Sequence, residues 1–156
     1  MAYWLIGEAP NDATINRPDL WLTPDESGVM HSANRLLELT GWTRAQFLAI
    51  FTTRTNVWAH PRRIWLQEGH CIAAKIAERS SKAGARGVVI LGVHAAEAFG
   101  LAGETPFEWV GRYAVIPHPS GRCRYWNTPN AKERAREFFA AILASELDSA
   151  NRAAPE

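Results

Sequence analysis

The sequence predicts an α/β fold: a three-layer α/β/α sandwich around a central, mainly parallel four-stranded sheet. Three observations predict it. Two short apolar runs closed by glycine, "YWLIG" at 3–7 and "GVVILG" at 87–92, read as buried parallel strands. Segments with helical spacing separate the extended ones, and strands alternating with helices put a parallel sheet between helical layers. The chain has 156 residues, 47% hydrophobic and 21% charged, which suits one soluble domain with one core.

The elements follow in order. "YWLIG" is the first strand. "HSANRLLELTG" has helical spacing and stops at Gly41. Thr43 can cap a helix through about Ala49, after which the β-branched "FTTRTNVW" extends as the second strand. "WLQEGHCIAAKIAERSSKAG" places Ile72 and Ile76 on one helical face, and "GVVILG" supplies the third strand. A short helix in "VHAAEAFG" closes on Gly100, "RYAVIP" is the fourth strand, and "NAKERAREFFAAILASEL" is the last helix. "DSANRAAPE" reads as a frayed end, giving a single domain at 1–147 and a flexible tail at 148–156. Neither an internal repeat nor a linker interrupts the chain.

Several classes of function are excluded at this level. No apolar run approaches the roughly 20 residues that span a bilayer, and "YWLI" lacks a charged leader, so a cytoplasmic protein without a membrane partner is expected. Cys71 and Cys123 are too few for a zinc site or an iron–sulfur cluster and are expected as free thiols. No metal or organic cofactor is implied. A net charge of +1 is uninformative, but cations cluster at Arg54, Arg62 and Arg63 and again at Arg122 and Arg124.

In open α/β sheets ligands bind beyond the carboxyl ends of the strands. That rim holds Gly7, Glu8, Ala9, Pro10, Asn11 and Asp12, then Asn56, His60, Arg62 and Arg63, then His94, then His118, Ser120, Arg122 and Arg124. A carboxylate near a neutral histidine and an amide suits cleavage of a bond whose transition state is cationic on a sugar and anionic on a departing base. Glu8 or Asp12 can orient water or stabilise the cation, and His118 can donate to the oxygen that becomes anionic. Asn56 can read a pyrimidine edge, and the arginines can hold phosphates. His31, His60, His70 and His94 share no ligand spacing and receive no catalytic role. Trp126 is expected to pack the loop that carries it.

"GEAPN" after the first strand and "HPSGRCRYWN" after the last resemble the two signature motifs of the uracil-DNA glycosylase superfamily. "TRTNVWAHPR" and "GVVILGVHAAEAFG" resemble the segments between those motifs, in the same order, over residues 3 to about 140. The resemblance implies a uracil-DNA glycosylase-like fold. It also implies a monofunctional DNA glycosylase of base excision repair, acting as a monomer on a pyrimidine flipped from single- or double-stranded DNA. Carried across, Glu8 is the water-activating or cation-stabilising group, with Asn11 and Asp12 as alternatives in the same loop, and His118 is the leaving-group histidine. Asn56, Ala9 and Met30 form the base-recognition set, and Ser120, Arg122, Arg124 and Arg62 contact DNA.

The chain departs from the superfamily in three ways. Val29 or Met30 stands where an aromatic ring usually stacks on the base, with Trp21 and Trp42 as substitutes. The cluster-binding cysteines of the "GEAPG" branch are missing, and Arg122 replaces an apolar wedge. Two rival readings therefore stay open: action on hypermodified bases or nucleotides in viral DNA modification or defence, and a catalytically silent DNA- or base-binding module.

Overall fold

An unbroken apolar run has no face to offer to solvent, and both such runs lie inside the sheet. Strands β1 (Tyr3–Gly7) and β3 (Gly87–Leu91) are buried at every position. In the computed structural model, which describes residues 2–8, 22–58 and 66–153, β1 pairs in parallel with β3 on one side and with β2 (Phe51–Asn56) on the other. Strand β5 (Tyr113–Ile116) adds in parallel to β3, and β4 (Trp109–Val110) runs antiparallel to β5 at that edge.

Among the described residues the sheet thus has five strands in the order β2-β1-β3-β5-β4, which corrects the expected four. The additional strand is two exposed residues, too short to leave a period in the sequence. It forms because Gly111, at φ 61°, and Arg112 make a two-residue turn that brings Trp109 opposite Ala114 and Val110 opposite Tyr113.

Side chains alternate across the sheet and meet helices on both faces. Tyr3, Leu5, Val89, Leu91, Ala114 and Ile116 share a core with Leu36, Phe47 and Phe139. These last come from α1 (Ser32–Thr40), α2 (Arg44–Ile50) and α5 (Ala131–Ala153). On the other face Trp4, Ile6, Val88 and Ile90 pack on Ala73 and Ile76 of α3 (Leu66–Lys82) and on Ala96 of α4 (Val93–Ala98). Aromatic rings thicken the first core, with centroids 5.0 Å apart for Phe47 and Phe51 and 5.4 Å for Trp42 and Phe139. Full burial of one such side chain contributes about 1.5–3 kcal/mol.

Local chemistry sets the helix ends. Gly41 closes α1 in the left-handed region at φ 72°. Thr43 and Gln46 form a reciprocal capping box on α2, which runs through Ile50 and passes directly into β2. Ahead of α1, the Ser27 hydroxyl and then the Asn34 amide bond the Asp25 carboxylate and hold it well below the usual carboxylate range. At the other end of the chain α5 continues through Ala153, so the expected tail from 148 is helical over 148–153. Arg86 is the physical reason: its Nη1 donates to Ser145 O at 2.9 Å and to Ser149 Oγ at 2.6 Å, tying the last turns to the start of β3. No described helix is long and apolar enough to cross a membrane.

Candidate active site

Three strand ends build the site. Beyond β1, the carbonyls of Gly7 and Glu8 accept from Val57 N at 3.0 Å and Trp58 N at 2.9 Å, so the pairing of β1 with the β2 chain continues past both strands. The Glu8 backbone is fixed by that pairing. A Cβ on Gly7 would lie 2.3 Å from Asn56 Oδ1, so the Asn56 side chain lies across a position that only glycine leaves open. Beyond β3, Gly92 takes φ 87° and donates its N–H to Ile116 O at 2.8 Å. A Cβ there would come within 3.1 Å of His118 Cβ, so the histidine rests against bare backbone.

Beyond β5, the prolines at 117 and 119 restrict the backbone on both sides of His118. Trp126, buried within the 3-10 helix Arg124–Asn127, donates its indole N–H to His118 O at 2.9 Å. Its expected packing role is thereby accounted for. Cys123 N donates to Ser120 O at 3.1 Å and turns the loop back. Arg134 of α5 then braces two loops, donating from Nη1 to Tyr125 Oη and from Nη2 to Pro106 O, each at 3.0 Å.

These ends surround a cavity of about 700 Å³ whose wall includes Glu8, Gly92, His94, His118, Ser120 and Arg122. Its remaining wall is mainly apolar and includes Ala96, Leu101, Pro106 and Val115. Burial pushes the His118 imidazole below its ordinary pKa of 6.5; Glu8 acts in the opposite direction and His94 reinforces the lowering. His118 is therefore neutral near pH 7, an N–H donor without a buried charge. A carboxylate and a neutral imidazole on one cavity wall can stabilise a cation and an anion forming on either side of a breaking bond. Among the described residues no three His, Cys, Asp or Glu side chains gather as a metal site.

Of the residues singled out in the sequence, Glu8, His118, Ser120 and Arg122 come together on this cavity. Asn56 lies next to Gly7 and is not part of this wall. Arg124 is exposed on the 3-10 helix, and Met30, 59% exposed in the segment before α1, is also outside the wall. Trp42 packs on Phe51 and Phe139 in the core, which removes it as a stacking substitute. Arg54 holds Thr23 Oγ1 at 3.1 Å, bracing the segment before α1. Ala9, Pro10, Asn11, Asp12, Trp21, His60, Arg62 and Arg63 lie outside the described residues.

Sequence reasoning gave His94 no role, yet it lines the cavity and acts on His118. Its place on the carboxyl rim after β3 already marks it in the sequence, and only the absence of a shared ligand spacing sets it aside. Leu101, Pro106 and Tyr125 carry no comparable signal, because loops brought together from distant parts of the chain leave no periodic pattern. Compared with protein-family models and with curated proteins, the chain matches none.

Proposed function

We propose that this protein is a monofunctional DNA glycosylase, similar to the uracil-DNA glycosylase superfamily, that hydrolyses the bond between deoxyribose C1′ and N1 of uracil or a related pyrimidine. One observation carries the reading: Glu8 and His118, from loops far apart in the sequence, share one cavity wall, where burial disfavours the charged imidazole. As the C1′–N1 bond breaks, its electron pair leaves with the base, and negative charge gathers on the C2 carbonyl oxygen beside N1. The neutral imidazole donates a hydrogen bond to that oxygen. The sugar becomes cationic, and the Glu8 carboxylate opposes that charge and orients a water. Hydroxide from the water adds to C1′, and its proton goes to the departing base. Ser120 and Arg122, on the cavity wall, serve the backbone phosphates of a flipped nucleotide, and Asn56, outside that wall beside Gly7, is the residue the resemblance implies for the base edge.

The test is incubation with single-stranded and duplex oligonucleotides bearing uracil, 5-hydroxymethyluracil or hypoxanthine, followed by assay for alkali-labile abasic sites. Cleavage of at least one uracil-like substrate is expected, with a drop of about 10²–10⁴-fold on Glu8→Ala or His118→Ala. Undiminished activity in both variants would remove the assigned roles. Absence of abasic sites on every substrate would remove the glycosylase reading.

A further inference from the structure

Resting on the glycosylase reading, the cavity that holds Glu8 and His118 is larger than that reading requires. Uracil has eight heavy atoms and its deoxynucleoside sixteen. At the roughly 30 Å³ that a heavy atom takes in liquid water, an upper figure for a packed site, the whole nucleoside fills roughly 480 Å³. The cavity measures about 700 Å³. Space for at least about seven further heavy atoms remains on this scale. Part of its wall, formed by Ala96, Leu101, Pro106 and Val115, is apolar and unsuited to phosphate, with Glu104 and Tyr125 also in the lining. Val115 lies within β5, whereas His118 stands two residues beyond the end of that strand, so this part of the apolar lining is set back from the reacting groups.

This space belongs to a braced structure. Arg134 pins both bordering loops through Tyr125 Oη and Pro106 O. Phe107 is held at φ 65° with its N–H donated to Val115 O at 3.0 Å, fixing the end of the 101–107 loop on β5. On a pyrimidine in DNA, N1 bonds the sugar, O2, N3 and the group at C4 form the pairing edge, and C6 crowds the sugar. C5 alone can carry a large group.

We infer that the substrate is a pyrimidine bearing at C5 a bulky, mainly apolar substituent of at least about seven heavy atoms, seated against Leu101, Pro106 and Val115. The chemical step is the same hydrolysis, and the released base keeps its substituent. The test compares oligonucleotides bearing uracil with others bearing 5-benzyluracil, whose substituent has seven carbons. The wild-type protein is expected to favour 5-benzyluracil in kcat/KM by about tenfold or more. Leu101→Trp, which fills the apolar end, is expected to abolish that preference.

Because a variant can fail to fold, inhibition of the wild-type protein by the free bases gives a second measure. Free 5-benzyluracil is expected to inhibit at least about tenfold more strongly than uracil. Excision of uracil with no gain for 5-benzyluracil in either measurement overturns this inference and leaves the glycosylase reading standing. Absence of abasic sites on both substrates overturns the two together.

Discussion

At His118 two influences oppose each other: burial, reinforced by His94, disfavours the charged imidazole, and Glu8 favours it. Burial is the larger, so the group titrates below 6.5 in the folded chain. Excision should therefore be flat from neutral pH down to about 6.5 and fall as the imidazole takes up its proton below that. His94→Gln removes a repelling neighbour, so it should move this limb to higher pH; an NMR titration of the His118 ring would follow the shift directly. The same depression enters stability with a definite sign. Below the unfolded value of 6.5 the unfolded chain binds a proton that the folded chain resists, and stability present above that pH is lost as pH falls. Gly92 is the second sensitive residue. Alanine at φ 87°, with its Cβ 3.1 Å from that of His118, should cost about 1–2 kcal/mol in urea unfolding and lower excision beyond what the stability change explains.

Among the elements, the 3-10 helix carrying Trp126 positions His118 without touching the reacting atoms. Trp126→Phe keeps an aromatic ring but loses the pyrrole part and its N–H to His118 O, so roughly 1–3 kcal/mol of stability and a drop in kcat with little change in KM are expected. The end of α5 depends on Arg86 in the same way. In Arg86→Ala the amides of its last turns should exchange with solvent faster while those of β1 and β3 keep their protection. These elements also mark where sequence is readable. The unbroken runs of β1 and β3, the Gly41 stop and the Thr43 cap act within a few residues of themselves, so they are legible locally. Strand β4 is not, because two exposed residues pair only through a turn and a partner strand. The helical turn past 148 is not legible either, since it rests on an arginine from the far side of the sequence.

Over the whole molecule, the strand order places β1 between β2 and β3, where successive connections leave in opposite directions, and such a switch point opens a crevice at the strand ends. That rule makes the rim legible from sequence, Glu8 and His118 included. The depth of the cavity is not legible, because it depends on how the 101–107 and 120–125 segments stand apart after folding. The aromatic core beneath tolerates little loss: Phe139→Ala should remove about 3–5 kcal/mol, read as a lowered Tm. A last consequence concerns the opposite pole. Arg86 N donates to Ala2 O, and its guanidinium holds the end of α5, so the first strand begins and the last helix finishes together, away from the strand tips. An attachment made at that pole, on the exposed side of α5, would leave the mouth of the cavity open to solution.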